Sequence, residues 1–536
     1  MRVALINAPW YTDEASMWGV RAGSRWPHFQ QRPAAGQLPR YIPFPFFLAS
    51  AAAVLEDAGH SILLCDGVAA DLSLEDLIAK LVDFAPDLVF SELSTPSLTW
   101  DRTVCAALRK NFPEANLVAG GLLDHVLART LLDDETIDFW LNGEYEYPLR
   151  ELAVALPAGG DLTSIAGLMD RSGIDNSPAL VSELDDLPAP LYNQLPMHNY
   201  SDPVCGLPTP GLQSWLSRGC PFSCSFCVWP QIVYRGHDYR TRSIDVALDE
   251  IEMLVQRYGF ESFYFDDDTT NIGEARMLEL AEKIKKRGLD RLPWGMMARA
   301  DCMNRTMIDA LADAGMYSIK YGVESIATKL IDACGKKTNL PKLIDAIEYS
   351  KQRGIKVHLT FTFGLPGETL ETIRETTDFA IQIAPETAQF SLCTPFPGTR
   401  FFNECLEAGH LAHTDWAHFL GSGEAVVNTP ELSTSQLEAG YREALERWSA
   451  FRDEQTKDRR EKLLDSLRQR IEQGATWSFM GDRVFGAFLF EDNQQISSAY
   501  REKDGDIAVI VSAHDEEKIR RQVLAKQSQD VLRLFA

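Results

Sequence analysis

The sequence predicts an α/β protein: an N-terminal doubly wound parallel sheet, then a partial (β/α)6 TIM-type barrel, then a small α+β C-terminal extension. Short apolar runs alternate with segments of helical length from residue 3 to about residue 156, and the alternation resumes near residue 212. Residues 157–209 between them are rich in Gly, Pro, Asp and Ser, which is typical of a linker. Because strands that alternate with helices form parallel sheets covered by helices, we expect two such domains joined by this linker.

Composition and charge restrict the class of protein. The 536 residues are 45% hydrophobic and 24% charged, which is ordinary for globular domains and excludes wholesale disorder. Lys and Arg number 52 and Asp and Glu number 77, so the net charge is −25. Proteins that bind nucleic acid through its phosphates usually carry a basic surface. The charge therefore argues against a nucleic-acid partner and is otherwise explained by solubility.

The N-terminal region lacks the features of a signal peptide or a membrane span. Residues 1–9 have no apolar core followed by a small-residue cleavage site. The longest apolar stretch, residues 44–55, is shorter than the roughly 20 residues that a transmembrane helix needs. We therefore expect a cytoplasmic protein without membrane insertion.

The first domain, residues 1–156, is predicted from five apolar runs separated by helical segments. The predicted strands are residues 3–7, 61–65, 87–90, 116–119 and 137–141, and the predicted helices are residues 46–55, 74–84, 100–111 and 144–156. Ligands of parallel sheets bind beyond the carboxyl ends of the strands. Asn7, Ser94, Gly120 and Gly121 fall there and are candidate ligand contacts.

The second domain, residues 210–430, repeats the pattern six times. The predicted strands are residues 213–217, 262–265, 294–299, 318–321, 356–363 and 389–392, with helices such as residues 244–258 and 275–286 between them. Six such units suit a partial barrel, with chemistry at the carboxyl ends of its strands. The extension, residues 431–536, combines a charged helical section with a few strands and contains no motif.

Three of the ten cysteines are crowded into eight positions. Cys220, Cys224 and Cys227 form a C-x-x-x-C-x-x-C pattern just after the first barrel strand. Thiolates at these separations can converge on one metal centre, and three ligands on a four-iron cluster leave one iron open for a substrate or cofactor. The alternatives are a structural zinc site, with Cys205 or His198 as fourth ligand, and three unreactive thiols.

With Phe226 before its last cysteine, this loop resembles the signature of the radical S-adenosylmethionine (SAM) superfamily. The resemblance implies a 4Fe-4S cluster held by the three cysteines and a SAM molecule bound at the open iron. Further landmarks follow in the family's order between about residue 212 and residue 399. The resemblance therefore covers the whole predicted barrel.

The resemblance also implies which side chains contact SAM. Asp267, at the end of the second strand, matches the contact to the methionine amino group, with a turn or helix cap as the alternative. Arg299 and Glu324 match polar contacts to the methionine carboxylate and the ribose, with an ion pair between the two as the alternative. Thr362 and Gly364 match the motif beside adenine, and Phe226 in the cysteine loop is a further expected SAM contact.

The first domain resembles the cobalamin-binding domain that precedes this barrel in one large subclass. The matching positions are Asn7, Pro9, Gly120, Gly121 and Glu144, and Ser94 lies at the same edge. The D-x-H-x-x-G motif that supplies a histidine to cobalt is absent, so the lower ligand of cobalt is not assigned. The alternative is a doubly wound domain that binds no corrin.

The resemblance implies a radical reaction on a small-molecule substrate. An external one-electron reductant of the flavodoxin or ferredoxin type would reduce the cluster, and SAM would yield a 5′-deoxyadenosyl radical. With cobalamin as methyl carrier, the expected reaction is methylation of an unactivated carbon. Residues 18–27, which include two Arg and two Trp, are a candidate substrate loop or a lid.

Three other functions remain open. Some relatives are radical cyclases or rearrangement enzymes and share the same motifs. A tRNA methylthiotransferase would need a second cysteine triad and a basic tail, whereas the first domain has only Cys65 and Cys105. A corrin- or metal-binding sensor would take up cobalamin without cleaving SAM.

Overall fold

A computed structural model describes most of the chain. The described residues are 1–11, 17–20, 28–31, 41–472, 476–479, 487–491, 494–501 and 507–511. They form two compact units, Met1–Leu445 and Glu446–Ala536. Within these residues, every helix is too short or too polar to pass through a bilayer.

The first sheet has six strands in the order β4-β1-β5-β6-β7-β8. The strands in chain order, with a separate hairpin of β2 and β3, are β1 (Arg2–Asn7), β2 (Met17–Val20), β3 (His28–Gln31), β4 (Ser61–Asp66), β5 (Leu88–Ser94), β6 (Asn116–Leu122), β7 (Phe139–Leu141) and β8 (Leu168–Asp170). The helices are α1 (Phe46–Asp57), α2 (Leu74–Phe84), α3 (Leu98–Asn111), α4 (His125–Asp133) and α5 (Glu146–Ala158). All pairs are parallel except β7 with β8. The predicted linker thus contributes an edge strand to this sheet.

Burial explains why these segments take these forms. All residues of β5 are buried, as expected of a central parallel strand with helices on both faces. Helix α2 begins with a capping box between Ser73 and Asp76 and buries Leu77 and Leu81 against the sheet. The sheet is therefore held between helices, and its carboxyl edge stays available for function.

The second sheet has six parallel strands in the order β9-β12-β13-β14-β15-β16. The strands, with a short antiparallel ribbon of β10 and β11, are β9 (Gly211–Ser214), β10 (Ser217–Arg218), β11 (Arg240–Thr241), β12 (Ser262–Phe265), β13 (Trp294–Ala298), β14 (Met316–Glu324), β15 (Lys356–Phe363) and β16 (Thr387–Leu392). The helices are α6 (Ile244–Tyr258), α7 (Glu274–Lys286), α8 (Arg305–Asp313), α9 (Thr328–Ala333), α10 (Leu340–Gln352), α11 (Leu370–Ile383), α12 (Arg400–Glu407) and α13 (Thr434–Glu472). Strands that follow one another in both sequence and space, with helices between them, form the predicted partial barrel.

The two faces of the barrel strands differ in polarity. On the outer face, Phe361 and Phe363 stack on Phe390, and Tyr321 reaches Ser350 in α10. The alternate positions of β14 and β15 are polar and only half-buried. The barrel therefore has an apolar shell and a polar interior.

The C-terminal unit contains a four-stranded antiparallel sheet. Its strands are β17 (Thr476–Phe479), β18 (Ala487–Glu491), β19 (Gln494–Arg501) and β20 (Ile507–Val511). Together with α13, these strands form an α+β extension. The predicted fold class is confirmed for all three parts of the chain.

Candidate active site

The cysteine loop begins at a glycine that other residues could replace only with strain. Gly219 has a φ of +91°, and a Cβ atom there would lie 1.9 Å from the carbonyl oxygen of Asp238. Glycine alone tolerates both this left-handed conformation and this close approach. The chain turns sharply after β10 and places the three cysteines in one loop at the carboxyl end of the barrel.

Two consecutive aspartates after β12 hold the start of this loop. Asp267 accepts hydrogen bonds from the backbone N–H of Leu216, at 3.0 and 3.1 Å, and from the Ser217 hydroxyl. Asp268 accepts a hydrogen bond from the N–H of Gly219 at 3.2 Å. The Asp267 carboxylate thus has the partners expected of a turn residue, and its contact to the methionine amino group stays a prediction.

A glutamine after the motif holds the end of the loop. The Gln231 amide donates hydrogen bonds to the carbonyl oxygens of Cys224, Ser225 and Cys227, at 3.2, 3.0 and 2.7 Å. The Ser225 N–H donates in turn to the carbonyl oxygen of Cys334 at 2.7 Å. Sequence reasoning missed Gln231, because a single glutamine after a motif is common and the three carbonyl groups come together only in the fold.

The three thiols are half-buried and free of disulfides. Burial raises the pKa of each thiol, and nearby cations oppose this rise: Arg299 for Cys220 and Lys336 for Cys224. Because a bound metal takes cysteines as thiolates, cations beside the loop favour the metal-binding form. Burial outweighs these two cations, so the pKa of each thiol stays above its usual value.

The spread of the sulfurs separates a cluster from a single zinc ion. Among the described residues, His413, His418 and Glu424 form a group whose possible ligand atoms all lie within 4.8 Å of one another. The three loop sulfurs do not form such a group, so at least one pair of them is more than 4.8 Å apart. A zinc ion with bonds of about 2.3 Å would hold its sulfurs about 4 Å apart. The wider loop fits a four-iron cluster better than one zinc ion.

The two candidate fourth ligands for zinc are engaged elsewhere. The Cys205 sulfur lies 3.4 Å from the Thr387 hydroxyl, and the His198 Nε2 lies 2.7 Å from the carbonyl oxygen of Tyr258. Neither contact involves the cysteine loop. The zinc alternative is therefore left without the fourth ligand that it required.

Arg299 lies in the site and braces the loop from the third strand. Its guanidinium stacks on the Phe222 ring at 3.8 Å and donates hydrogen bonds to Asp301, at 2.6 and 3.1 Å. It also donates to the carbonyl oxygen of Lys336 at 2.6 Å. The alternative ion pair with Glu324 is not formed. Arg299 is well placed beside the cysteines, and its contact to SAM stays a prediction.

Glu324 is held in an unusual conformation at the end of β14. Its φ is +66°, which is rare outside glycine and is maintained only when neighbours enforce it. Its carboxylate accepts hydrogen bonds from Lys336 Nζ at 2.6 Å and from the Thr362 hydroxyl at 2.9 Å. The structure thus brings Glu324 and Thr362 together and adds Lys336, which sequence reasoning missed because it follows a short helix outside any family motif.

Phe226 and Gly364 have packing roles that the fold alone explains. Phe226 packs on an apolar cluster that includes Leu330 and Leu365. Gly364 has a φ of +94°, and a Cβ atom there would lie 2.9 Å from the Leu437 side chain. Phe226 lies in the cysteine loop and Gly364 directly follows the fifth barrel strand, as expected. For both residues, a contact to SAM stays a prediction.

At the edge of the first sheet, Asn7 belongs to an internal hydrogen-bond network. Its amide donates to Asp66 at 2.9 Å, and Asp66 also accepts from the Tyr200 hydroxyl at 3.0 Å. Burial raises the pKa of Asp66 to about 6. The carbonyl oxygen of Pro9 accepts a hydrogen bond from the Trp100 indole at 2.6 Å. Asn7 and Pro9 stabilise this edge, and cobalamin contacts stay predictions.

The glycine pair on β6 is required by packing within the sheet. A Cβ atom on Gly120 would lie 3.0 Å from Phe90, and one on Gly121, where φ is +118°, would lie 2.5 Å from the carbonyl oxygen of Leu93. Close contact with β5 therefore explains why both positions are glycine, and a contact to cobalamin is not needed to explain them.

Ser94 faces the turn that follows the cysteine loop. A small cavity of about 20 Å³ lies there, lined by Ser94, Thr95, Pro96, Leu122, Val228, Trp229 and Phe396. The Ser94 hydroxyl lies 2.7 Å from that of Ser97, which donates to Asp101 at 2.7 Å. Oriented hydroxyls beside apolar walls suit part of the edge of a flat macrocycle. Ser94 is thus a cobalamin candidate that lines space facing the loop.

Glu144 connects the first domain to the arginines on either side of the cysteine loop. Both of its carboxylate oxygens lie 2.8 Å from Arg240, and Oε1 lies 3.3 Å from Arg218. Glu146 pairs with Arg218 at 2.6 Å. Burial alone would raise the pKa of Glu144, but the two arginines hold it below its usual value. A corrin contact from this saturated carboxylate stays a prediction that the geometry does not favour.

Two other expectations concern parts of this edge. His125, the nearest histidine after the glycine pair, pairs with Asp175 at 2.7 Å, and the lower ligand of cobalt remains unassigned. Of the candidate substrate loop, residues 21–27 lie outside the described residues.

Comparisons with known proteins identify both domains. The chain matches the Radical SAM superfamily over residues 216–380 and the B12 binding domain over residues 39–153. The first match contains the cysteine loop, and the second contains Ser94 and Glu144. These matches confirm the two predicted domain types and, with them, the 4Fe-4S cluster, SAM and cobalamin as cofactors.

Relatives with curated names belong to more than one reaction type. The chain is 29% identical over 408 residues to an uncharacterised methyltransferase of Pyrococcus horikoshii, covering 75% of this chain and 86% of that one. It is 29% identical over 385 residues to the anaerobic magnesium-protoporphyrin IX monomethyl ester cyclase of Cereibacter sphaeroides, covering 67% of this chain and 60% of the cyclase.

A solved structure shares the fold over about three quarters of the chain. The radical SAM methyltransferase TsrM from Kitasatospora setae is 20% identical, with a TM-score of 0.59 and coverage of 76% of each chain. At this identity the likeness shows a common fold.

Proposed function

Because the chain is a radical SAM enzyme with an N-terminal B12 binding domain, we propose that it methylates an unactivated carbon of a small-molecule substrate. One observation carries the proposal: the cysteine loop at the carboxyl end of the barrel is followed by Trp229, which lines the same cavity as Ser94 at the carboxyl end of the first sheet. A methyl donor on one sheet and a radical source on the other must face a shared space, and this cavity lies between them.

We assign the cluster to Cys220, Cys224 and Cys227. Bound there, the cluster and SAM supply a strong one-electron oxidant of C–H bonds, and cobalamin supplies a methyl group. The surrounding residues fix the loop: Gln231 holds the carbonyls, and Asp267 holds the preceding backbone. These contacts set the positions of the sulfurs before any cofactor binds, which is the preorganisation that a radical site needs.

The methionine and ribose of SAM would lie beside the Glu324, Lys336 and Thr362 group. The ammonium of Lys336 is buried beside Glu324 and also donates to the carbonyl oxygen of Gly322 at 2.8 Å. This arrangement presents a carboxylate with fixed orientation to the hydroxyls or ammonium of a ligand. Arg299, braced on Phe222, adds a positive charge for the methionine carboxylate.

Cobalamin would lie at the carboxyl edge of the first sheet, with Ser94 and Thr95 toward the cysteine loop. The remaining candidates there, Asn7, Pro9, Gly120 and Gly121, shape this edge through their internal contacts. An external one-electron reductant of the flavodoxin or ferredoxin type completes the proposal. A radical cyclase is the second candidate function, because a cyclase is among the relatives.

The test combines the purified protein with a deletion strain. Anaerobically reconstituted protein should contain iron and sulfide, bind about one cobalamin, and form 5′-deoxyadenosine under reducing conditions. Mass spectrometry of the deletion strain should show a metabolite that is lighter than the wild-type product by one methyl group. If the metabolite that accumulates has the same number of carbon atoms as the missing product, the enzyme is a cyclase instead. Zinc without sulfide in the purified protein would refute both the methyltransferase and the cyclase.

A further inference from the structure

The interior of the barrel contains a second polar cleft, away from the cysteine loop. It has a volume of about 700 Å³ and is lined by residues of β14, β15 and β16 and by the segments 202–205 and 420–422. The polar side chains Lys320, His358, Thr387, Gln389 and Ser391 face it. No part of the proposed cofactor sites uses these five residues.

The strand register arranges these side chains in rows. Lys320 pairs with His358 and His358 with Thr387, so these three lie side by side on one face of the sheet. Two residues further along, Thr360 pairs with Gln389, and two further again, Thr362 pairs with Ser391. The row of Lys320 is therefore four residues, or about 13 Å, below the row that holds Thr362.

A short helical turn closes the amino end of the cleft. Val204 and Cys205 lie in this turn, and the Cys205 sulfur contacts the Thr387 hydroxyl in the lowest row. At the opposite side, the carbonyl oxygen of Gly421 accepts a hydrogen bond from the N–H of Leu392 on the edge strand β16, at 2.8 Å. The lining of the cleft thus extends from the row of Lys320 to Ser391, which lies beside Thr362 on the neighbouring strand.

Lys320 is the charged group at the base of this space. Among the described residues, its ammonium has neither an ion pair nor a hydrogen bond, although every strand neighbour is at least half-buried. In the same row, the His358 Nδ1 lies 2.7 Å from the Thr387 hydroxyl, while its buried Nε2 has no partner among the described residues. Polar groups left in this state mark a place that a polar ligand would complete.

The charge of the lining selects the type of ligand. Lys320 is the cation among the described residues that line the cleft. Asp202 lines it too, but it is engaged with another partner and does not pair with Lys320. Burial, with Lys320 as a second cause, lowers the pKa of His358 to about 3, so this imidazole is neutral. One ammonium beside neutral donors balances a single negative charge, whereas phosphate groups are usually met by several cations or a guanidinium.

We propose that this cleft binds the substrate, and that Lys320 holds a carboxylate at the end of the substrate remote from the reacting carbon. The inference rests on the proposed function and adds the substrate class: a small carboxylic acid whose reacting carbon lies roughly 13 Å or less from its carboxylate. Lys320 is a specificity-determining residue in this scheme.

The experiment is equilibrium dialysis of the reconstituted full-length enzyme under anaerobic conditions. The probes are labelled butanoate, hexanoate and octanoate, the corresponding primary alcohols, and inorganic phosphate. We expect the carboxylates to bind more tightly than their alcohols, and Lys320→Met to weaken carboxylate binding roughly ten- to a hundredfold, as expected for loss of a charged hydrogen bond. Lys320→Arg should retain most of the affinity.

Lys286→Met, on the exposed surface of α7, is the matched control and should bind the carboxylates like the wild type. Three results would overturn the inference: no carboxylate bound by the wild type, phosphate bound more tightly than every carboxylate, or equal losses in both methionine variants. If Lys320→Met does not fold, Lys320→Arg decides the matter. A loss of carboxylate affinity of roughly ten- to a hundredfold in Lys320→Arg, which keeps the positive charge, would refute the inference. Because dialysis requires no SAM cleavage, 5′-deoxyadenosine formation separately tests the proposed function.

Discussion

The carboxyl edges of the two sheets carry polar residues at equivalent places but use them differently. At the first sheet, these side chains are engaged with other side chains of the protein: Asn7 with Asp66, Ser94 with Ser97, and Glu144 with two arginines. At the barrel, three thiols remain half-exposed on a loop whose backbone is fixed from both sides. The polar side chains of the first edge thus stabilise the protein itself, whereas the thiols of the second edge are left partly exposed.

From this difference we expect the largest loss of activity when a cysteine of the barrel loop is replaced. Cys224→Ala should abolish the cluster and all formation of 5′-deoxyadenosine, because two thiolates no longer hold a four-iron centre in place. Cobalamin binding should be unchanged, because the first edge does not depend on thiols. Iron and sulfide analysis, deoxyadenosine quantification and the cobalamin absorption spectrum measure these three quantities.

Cys105→Ala, in the core of the first domain, is the control for loss of a buried cysteine. It should keep both cluster and cobalamin. Retention of normal iron and sulfide in Cys224→Ala would show that the ligands are other residues.

The second prediction concerns Glu144, the residue that joins the two edges. Glu144→Gln leaves Arg240 without its carboxylate partner, while Arg218 keeps its ion pair with Glu146. Breaking a buried ion pair costs about 3–5 kcal/mol. Since Arg218 directly precedes Gly219 and the cysteine loop, we expect a lower midpoint of chemical denaturation together with weaker retention of iron during chelator challenge.

Glu151→Gln on the exposed face of α5 provides the comparison and should change neither quantity measurably. If Glu144→Gln is as stable as the wild type but loses cobalamin, then Glu144 contacts the corrin, as the family resemblance implied.

The same contrast explains what the sequence could and could not predict. The cysteine spacing and the order of Asp267, Arg299 and Glu324 along the chain sufficed to predict that these residues lie at the carboxyl edge of the barrel, because polar residues at strand ends are visible as motifs. Lys336 and Gln231 escaped notice, since their partners are brought together only by the fold. At the first sheet, Gly120 and Glu144 resemble ligand contacts in sequence, yet their contacts are with β5 and with the barrel arginines.

The third prediction tests whether the first edge is shaped by packing. In Gly121→Ala, the new methyl group would lie 2.5 Å from the carbonyl oxygen of Leu93 at a φ of +118°. Strain of this kind costs of order 1–3 kcal/mol. We expect a loss of that size in the free energy of unfolding, measured by urea denaturation, with the cluster retained.

Gly160→Ala is the control, because a methyl group there would make only ordinary contacts of 3.4 Å with Ala155. A neutral effect of Gly121→Ala on stability together with loss of cobalamin would show that the glycine serves the corrin directly.

A pH-dependent effect is expected at the barrel edge, in the turn after β15. Burial raises the pKa of Glu368 to about 7 from its usual 4.5, although Thr372 and the Gly364 N–H oppose the rise. A carboxyl group with a raised pKa in the folded state stabilises the protein below pH 4.5, and this contribution is lost as the pH rises through about 7. Glu368→Gln should therefore flatten the decline of stability between these pH values by about 3 kcal/mol, at about 1.4 kcal/mol for each unit of the pKa shift.

Chemical denaturation at several pH values measures that decline, and Glu371→Gln, on the exposed side of the next helix, should leave it unchanged. An unchanged pH dependence in Glu368→Gln would mean that the carboxyl group is ionised in the folded protein, with a cation or water near it. The barrel edge would then hold a second charged ligand group beside Glu324, and the contrast with the internally saturated edge of the first sheet would be greater than the present contacts indicate.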